Sequence, residues 1–267
     1  MKKISRRSFM AAAAVSVASL ALTACGGSAS SAASSVASSA ASSEAASSAA
    51  AADLTTVEAG KLTMATNATF PPYEMTTDSG ELEGIDVDTA KAIAEKLGLE
   101  LQIDDMDFDA ALLSVQQGKA DIVMAGVTVT DERKAVMDFS DSYATGIQSI
   151  IVPNDSDIAS PDDLAGKKIG TQRGTTGYIY CSDDFGEDSV VAYDSGLTAV
   201  QALNNGQVDA VVIDNAPATE YVAANPGLKV LDTSYAEEDY AIGMAKGSAL
   251  EDAVNKALEE LKADGTL

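Results

Sequence analysis

One pattern of helix, glycine and strand occurs twice in this sequence, and it constrains the fold more than any other feature. Residues 110–126 read AALLSVQQGKADIVMAG, and residues 198–214 read TAVQALNNGQVDAVVID. In each copy a segment with helical spacing ends at a glycine, Gly118 or Gly206, and an aspartate and an apolar strand follow. Either an internal duplication or the independent use of a common βαβ unit explains the pattern, and both predict two lobes.

The segments around the first copy continue the alternation of strand and helix. Residues 60–66 and 99–103 predict strands, and the helix between them ends at Gly98, with Asp86 or Asp88 as its N-cap. Alternating strands and helices form a mainly parallel sheet with right-handed crossovers. We therefore predict an α/β fold.

The composition excludes several classes of function. The chain contains no histidine, which removes the usual general base, the usual zinc ligand and the base of Ser-His and Cys-His pairs. It has 17 Lys and Arg against 41 Asp and Glu, a net charge of −24, and would repel the phosphates of nucleic acids. Its short acidic clusters lack the alternating ligand spacing of a calcium loop. We predict no nucleic-acid partner, no metal, no cofactor and no catalytic residues.

Residues 1–24 have the pattern of an export signal. Four positive charges lie within the first seven residues, and the fourteen residues 11–24 are small or apolar. That apolar run is shorter than the ~20 residues that a membrane-spanning helix needs. Residues 5–9 (SRRSF) also resemble a twin-arginine signal. The route of export, general secretory or twin-arginine, therefore stays open.

Cys25 is the predicted site of a lipid anchor. Residues 22–25 read LTAC, which resembles the bacterial lipobox and implies cleavage before Cys25 and its modification with palmitate-type lipid. The alternative is an ordinary signal peptide with a cysteine near its cleavage site. After Cys25 the segment to residue 53 is almost wholly Ser, Ala and Gly, which predicts a flexible linker with a reach of roughly 25–30 Å.

The two repeated strands end at Gly126 and Asp214, and these positions predict a cleft. Ligands of open α/β sheets bind beyond the carboxyl ends of the strands. If the two lobes face each other, Gly126 and Asp214 line one cleft from opposite walls.

Arg133 is the candidate anion-binding residue of this cleft. Thr130 is a plausible N-cap of a short helix, and a cation in its first turn faces the unfavourable end of the helix dipole. Arg133 is then either an exposed residue of little consequence or a carboxylate clamp. In the second case Thr128 adds a hydroxyl donor and Gly126 lets the backbone come close.

Asp214 is the candidate cation-binding residue. It follows the apolar run at 211–213, and buried acids are rare unless they are paired. It is either the partner of a ligand ammonium group or the N-cap of a helix at 215–218. A carboxylate clamp opposite an ammonium site describes the ends of a free α-amino acid.

Eight segments, taken together and in this order, resemble the polar-amino-acid solute-binding proteins of ABC importers. They are TNATFPPYE (66–74), GIDVD (84–88), MDFDAAL (106–112), GKADIVMAGVTVTDER (118–133), DFSDSY (138–143), GKKIGTQRGTT (166–176), VDAVVID (208–214) and EDYAIGMAKG (238–247). The resemblance implies a two-lobed Venus-flytrap fold of the periplasmic-binding-protein type, in which two chain crossings form a hinge.

The resemblance also implies the lobe boundaries. The first lobe would comprise residues 54–146 and a return segment, 237–267, and the second lobe residues 147–236, with crossings near 143–147 and 236–240. The chain stops at Leu267 where relatives usually continue with one more helix, so the return segment is predicted to be truncated or less extensive.

By the same resemblance, nine residues would bind the ligand. Its carboxylate would be held by Arg133 with Thr128 and Gly126, and its ammonium by Asp214 with the Gly126 carbonyl. The remaining five contacts would come from two aromatic faces, which sandwich the ligand, and three polar side chains, which meet its side chain or complete the carboxylate site: Phe70, Phe108, Asn67, Gln172 and Thr176. For Phe108, ordinary core packing is the alternative.

The polar side chains favour a neutral, glutamine-like ligand, since Asn67 stands where many relatives carry Asp. The strong negative charge leaves arginine or lysine as the alternative. The implied partners are an ABC permease with its ATPase, and the membrane through the lipid anchor only. We expect a monomer on the outer face of the cell membrane. A ligand-sensing module and an enzyme on the same scaffold, using Glu or Lys as proton carriers, are the rival interpretations.

Overall fold

The computed structural model describes residues 54–267. The predicted signal, Cys25 and the whole Ser/Ala-rich linker lie outside the described residues. In the part that is described, no helix is both long enough and apolar enough to cross a membrane. The fold is α/β with two lobes, as predicted.

The described chain contains fourteen strands and seven α-helices. In chain order they are β1 (Lys61–Thr66), β2 (Thr69–Phe70), β3 (Glu74–Thr76), β4 (Leu82–Glu83), α1 (Ile85–Leu97), β5 (Glu100–Asp105), α2 (Phe108–Gln116), β6 (Ile122–Val123), α3 (Asp131–Val136), β7 (Met137–Phe139), β8 (Ala144–Pro153), β9 (Ile169–Gln172), α4 (Thr176–Phe185), β10 (Val190–Tyr193), α5 (Gly196–Asn204), β11 (Ala210–Asp214), α6 (Asn215–Ala223), β12 (Leu228–Val230), β13 (Ala236–Tyr240), β14 (Gly243–Ala245) and α7 (Glu251–Ala263).

The first lobe is built on a five-stranded sheet with the order β5-β1-β6-β14-β7. The strands β5, β1 and β6 are parallel, whereas β14 is antiparallel to both of its neighbours. The helices α1 and α7 pack against this sheet, and their apolar faces form one core with it, including Leu62, Ile93, Ile122 and Leu258. Because β14 and α7 come from the end of the chain, this lobe is discontinuous in sequence.

The second lobe is built on a six-stranded sheet with the order β10-β9-β11-β8-β12, and β13 also pairs with β8. The strands β10, β9 and β11 are parallel, and β8 runs antiparallel to β11. A third, small sheet of β2, β3 and β4 belongs to the segment between β1 and α1. The chain enters the second sheet through β8 and leaves it through β13, which are paired antiparallel. The predicted crossings at 143–147 and 236–240 coincide with the start of β8 and with β13.

The two copies of the sequence repeat make the same local structure. Gly118 and Gly206 follow α2 and α5 with φ of 66° and 69°, a left-handed conformation that glycine adopts without strain. Asp121 then accepts a hydrogen bond from the backbone N–H of Thr63 at 2.7 Å, and Asp209 accepts one from that of Lys168 at 2.8 Å. In both lobes the repeated aspartate thus ties the strand after the helix to the neighbouring parallel strand.

The predicted N-cap of the helix before Gly98 is wrong. The helix α1 begins at Ile85, with Gly84 at the N-cap and no side-chain cap bond. Asp86 lies in the first turn and is fully buried, where it accepts hydrogen bonds from the Gly126 N–H and the Tyr143 hydroxyl. The backbone N–H groups of Ile85 and Asp86 donate to the carbonyls of residues 72 and 73, so the helix begins before Asp86 and not after it. Asp86 therefore faces inward from the first turn.

The only cysteine among residues 54–267, Cys181, is buried and free. Its side chain belongs to the apolar core of the second lobe. Burial raises the pKa of the Cys181 thiol to about 12, so the reactive thiolate is scarce at neutral pH. Cys181 therefore acts as a small core residue.

Candidate functional site

A small cavity lies beyond the carboxyl ends of the parallel strands of the two sheets. Its walls contain all nine residues that were predicted to bind a ligand, and three others. The lining residues are Asn67, Phe70, Glu74, Phe108, Ala125, Gly126, Thr128, Arg133, Gln172, Thr175, Thr176 and Asp214. The structure therefore brings the predicted residues together in one place, and their roles in binding stay predictions.

Arg133 is positioned by the first turn of α3. Its backbone N–H donates to the Thr130 hydroxyl at 3.1 Å, so the predicted N-cap is confirmed. The guanidinium donates from Nη1 to the Thr128 carbonyl at 2.7 Å and from Nη2 to the Gly174 carbonyl at 3.1 Å. It also lies over the Phe108 ring, 5.4 Å from the ring centroid. The second hydrogen bond connects the two lobes.

Arg133 is buried, with an exposed fraction of 8%, so the interpretation as an exposed arginine is wrong. Within residues 54–267, no carboxylate forms an ion pair with it. Burial lowers the pKa of this guanidinium, although nearby acids such as Glu238 and Asp214 oppose the shift. A guanidinium has five N–H donors and stays charged in proteins. Arg133 thus offers unused donors and an unpaired positive charge to the cavity.

Asp214 is the last residue of β11 and lies on the wall formed by the second sheet. One carboxylate oxygen accepts a hydrogen bond from the Tyr240 hydroxyl, and the other accepts one from Gln148 Nε2 at 2.7 Å. Although Asp214 occupies the N-cap position of α6, its side chain makes no cap bond. The alternative interpretation is therefore right about the position of Asp214, but its carboxylate is not used for capping.

Burial raises the pKa of Asp214 to about 7, and the hydrogen bond from Tyr240 partly opposes this shift. No Lys or Arg of the described chain is within ion-pair distance of its carboxylate. A cation that enters the cavity would favour the charged form of Asp214. The carboxylate is thus prepared for a positively charged partner.

The hydroxyls of Thr128 and Thr176 are engaged with Glu238 in this structure. Glu238 Oε2 accepts hydrogen bonds from Thr128 at 3.1 Å, from Thr176 at 3.0 Å and from Gln148 Nε2 at 2.9 Å. Each hydroxyl has one proton, so neither can donate to a ligand carboxylate while it is bound to Glu238. Glu238 and Gln148, on the paired strands β13 and β8, were not predicted as part of this network.

Asn67 and Gln172 are bonded to each other across the cleft. Gln172 Nε2 donates to Asn67 Oδ1 at 2.8 Å, and Asn67 Nδ2 donates to the Met106 carbonyl at 2.8 Å. Both amides therefore have partners within the protein. Their availability for a polar ligand side chain is lower than the sequence suggested.

The two predicted aromatic residues line the cavity from the first lobe. Phe70 and Phe108 are both nearly fully buried. Phe108 also packs with Ala111 and Val115 in a core cluster under α2, so its core role and its position at the cavity coexist. Gly126 has a φ of 54°, and a Cβ at this position would come within 2.8 Å of the Phe70 ring. Only glycine therefore fits between the strand end and this ring.

Glu74 is the ionisable one of the three cavity-lining residues that the sequence did not predict, the others being Ala125 and Thr175. Its side chain is fully buried, and no N–H or O–H of the described residues donates to either carboxyl oxygen. Burial raises the pKa of Glu74 well above its ordinary value, and the charge of the adjacent Asp86 adds to the shift. Glu74 lies in the matching segment TNATFPPYE, but one acid on a short strand gives no sign of which face is buried.

Among the described residues, no group of three or more Cys, Asp or Glu side chains is arranged to hold a metal ion.

A family model for bacterial extracellular solute-binding proteins, family 3, matches residues 62–267. A probable histidine-binding protein of Neisseria gonorrhoeae is 34% identical over 263 residues, which cover 95% of this chain and 90% of that protein. The arginine-binding extracellular protein ArtP of Bacillus subtilis is 34% identical over 212 residues, or 78% of this chain and 83% of ArtP. The L-cystine-binding protein TcyJ of Escherichia coli K12 is 34% identical over 214 residues, or 79% and 80%.

Solved structures are similar over most of the described chain. The arginine-, lysine-, histidine-binding protein ArtJ of Geobacillus stearothermophilus has a TM-score of 0.74 and 36% identity, and the match covers 77% of this chain and 91% of ArtJ. An ancestral arginine-binding protein bound to glutamine has a TM-score of 0.73 and 44% identity, with 78% and 94% covered.

Proposed function

Because the chain belongs to the bacterial extracellular solute-binding proteins of family 3, we propose that it captures a free amino acid between its lobes and delivers it to an ABC permease and its ATPase. The relatives named for histidine, arginine and cystine support a ligand from the class of free amino acids.

The observation that carries this proposal is the presence of both Arg133 and Asp214 in one cavity. These two groups line the same cavity, and each is buried without an oppositely charged partner among the described residues. A buried charge that lacks a partner is unfavourable. The carboxylate and ammonium of an α-amino acid would satisfy both groups at once, so ligand binding would remove an existing cost.

The remaining free groups of the cavity favour a ligand with a cationic side chain. Among the cavity-lining side chains, Glu74 has two oxygens without a donor, whereas Asn67 and Gln172 are bonded to each other. An acceptor without a donor is best satisfied by an ammonium or guanidinium group, which only donates. We therefore propose an arginine-like ligand ahead of the glutamine-like one that the sequence favoured.

Hinge closure would couple this binding to transport. The lobes already contact each other through hydrogen bonds from Arg133 to the Gly174 carbonyl and from Gln172 to Asn67. A ligand held by residues of both lobes binds the closed form more tightly than the open form, and it shifts the population accordingly. Micromolar affinity needs about 8 kcal/mol, which two paired charges and two aromatic faces can supply.

A thermal-shift screen of the free amino acids, run on the wild-type protein and on Arg133→Ala, tests the proposal. At 100 times its dissociation constant, a ligand stabilises by about 2.7 kcal/mol, or roughly 5–10 °C in Tm for a domain of this size. We expect arginine to give the largest shift and Arg133→Ala to abolish it. The matched control is Arg173→Ala, because the Arg173 side chain is 56% exposed and does not line the cavity.

The screen separates the two levels of the proposal. A shift that survives in Arg133→Ala would refute the carboxylate clamp. If glutamine gives the largest shift in the wild type, capture of an amino acid stands and the cationic preference is wrong.

We also propose that the protein is held outside the cell membrane by lipid on Cys25. The family is extracellular, and the support for the anchor is the LTAC sequence at residues 22–25 followed by the Ser/Ala-rich linker. A short flexible linker would keep the lobes within tens of ångströms of a permease.

A further inference from the structure

Glu74 lines the cavity, but the proposed grip on the two ends of an amino acid does not use it. It is the first residue of β3, and it is fully buried with no donor to either oxygen from residues 54–267. The charge of Asp86 acts on Glu74 more strongly than that of any other group, and neither Glu74 oxygen has a hydrogen-bond partner among the described residues. Two buried carboxyl groups with no cation between them favour a state in which one of them keeps a proton.

The proton belongs to Glu74, because only Asp86 has hydrogen-bond donors. Asp86 Oδ2 accepts from the Gly126 N–H at 3.0 Å, and Asp86 Oδ1 accepts from the Tyr143 hydroxyl at 2.7 Å. Two such bonds stabilise an ionised carboxylate. Glu74 receives none, and burial raises its pKa well above the ordinary value. In the ligand-free protein, Glu74 is therefore the neutral member of the two.

The groups that face Glu74 strengthen this assignment. They come from several elements and are acids or phenols: Asp86 on α1, Asp105 on β5, Asp214 on β11, Tyr221 on α6, Tyr73 before β3 and Tyr143 before β8. Among the described residues that line the cavity, Arg133 is the only cation, and its bonds go to backbone carbonyls. The charge that would stabilise an ionised Glu74 is thus absent until a ligand supplies it.

We infer that Glu74 exchanges its proton for the cationic side chain of the ligand, so that binding of a cationic amino acid releases a proton which binding of a neutral analogue does not. This inference rests on the proposed function of the cavity. A guanidinium beside Glu74 favours the carboxylate and keeps its own protons, because its pKa exceeds ~12. The proton leaves the Glu74 carboxyl for the solvent, and the charge of the cavity stays balanced.

The exchange makes specificity depend on pH. Where Glu74 is neutral in the free protein and ionised in the complex, one proton is released per ligand. The affinity for a cationic ligand then rises about tenfold for each pH unit. The affinity for a ligand with a neutral side chain does not rise through Glu74 when the pH rises. Release of the cationic ligand is favoured by acid.

Arginine and citrulline are the matched probes, because citrulline replaces the guanidinium with a neutral urea of similar shape. Asp214 also titrates near neutral pH, since its pKa is about 7, and either ligand's ammonium group would release part of a proton there. The difference between the two ligands isolates the exchange at the side chain. Calorimetry at about pH 7 in buffers of different ionisation enthalpy measures the protons released.

We expect wild-type protein to release up to one proton more with arginine than with citrulline. In Glu74→Gln, which has a side chain of the same shape but cannot ionise, this difference should vanish, and arginine affinity should fall about tenfold or more. Glu83→Gln is the control, because Glu83 is exposed on the neighbouring strand β4 and should leave the difference intact.

Equal proton release with both ligands in the wild type would overturn the exchange, even if Glu74→Gln fails to fold. If citrulline binds too weakly to measure, unchanged proton release with arginine in Glu74→Gln overturns it equally. A wild-type protein that binds neither ligand, but binds another amino acid, refutes the cationic preference on which the inference depends. Binding of no amino acid refutes the proposed function itself.

Discussion

The substitution Asp214→Asn should stabilise the ligand-free protein and abolish ligand binding. Asp214 is buried, and its pKa is raised from 3.8 to about 7. A shift of about 3 units corresponds to roughly 4 kcal/mol at most, at about 1.4 kcal/mol per unit. That free energy is what the folded protein loses when it must hold the ionised carboxylate without a cation.

The sign follows from proton uptake. Folded Asp214 binds its proton more tightly than the unfolded chain does, so its effect on stability is most favourable below about pH 4. The free energy of unfolding should then decrease as the pH rises from about 4 to about 7. Asparagine cannot ionise, so this part of the pH dependence disappears in the variant. The gain near neutral pH is reduced by the NH₂ group, for which Tyr240 and Gln148 supply donors rather than acceptors.

Thermal unfolding between about pH 4 and pH 8, with and without arginine, tests the prediction. We expect a flatter pH profile for Asp214→Asn, a Tm several degrees above wild type near neutral pH, and no shift with ligand. The control is Asp209→Asn, since Asp209 is at the start of the same strand and bonds the Lys168 N–H outside the cavity. It should lower Tm while the ligand shift persists. An unchanged pH slope in Asp214→Asn, or a surviving ligand shift, would contradict the argument.

Three further predictions concern other parts of the protein. Gly126→Ala should weaken amino-acid binding at least tenfold in calorimetry, because its Cβ would lie 2.8 Å from a phenylalanine ring. The control is Gly118→Ala, which has a similar φ but no atom within 4 Å of the added Cβ, and which should lower stability without weakening binding. Tyr240→Phe removes the hydroxyl that lowers the pKa of the cleft aspartate, so the pH midpoint of ligand affinity should move upward. Cys25→Ser should release the protein from the membrane fraction, and equal retention would rule out the lipid anchor.

Most of the fold was predictable because its signals are local. Glycines that follow helices, such as Gly98 and Gly118, do adopt the left-handed conformation that ends a helix. Thr130 caps α3 as its residue type predicts. The start of α1 was misjudged because tertiary packing of the preceding turn, rather than a capping side chain, determines it.

The site was predictable where a residue conflicts with its local surroundings. Arg133 in the first turn of a helix and Asp214 at the end of an apolar strand are unusual in sequence, and both line the cavity. Glu74 and Glu238 could not be assigned in this way, because polar residues on short or edge strands are common, and Gln148 is one polar residue within the ten-residue strand β8. Their burial depends on which other strands lie beside them, and pairing between distant strands such as β8 and β13 is not encoded locally.

The return of the chain to the first lobe determines the order in which the lobes can fold. Every strand of the second sheet lies between residues 144 and 240, so that half can complete its core while the end of the chain is still unfolded. The first sheet, with the order β5-β1-β6-β14-β7, is incomplete until β14 (residues 243–245) has paired. The helix α7, which follows β14, then completes the core. The strand β14 must pair with β6 across more than a hundred residues, and such long-range closure is slow. We therefore expect the half that carries Arg133 to be assembled last, and the cavity to bind a ligand only after β14 and α7 have docked.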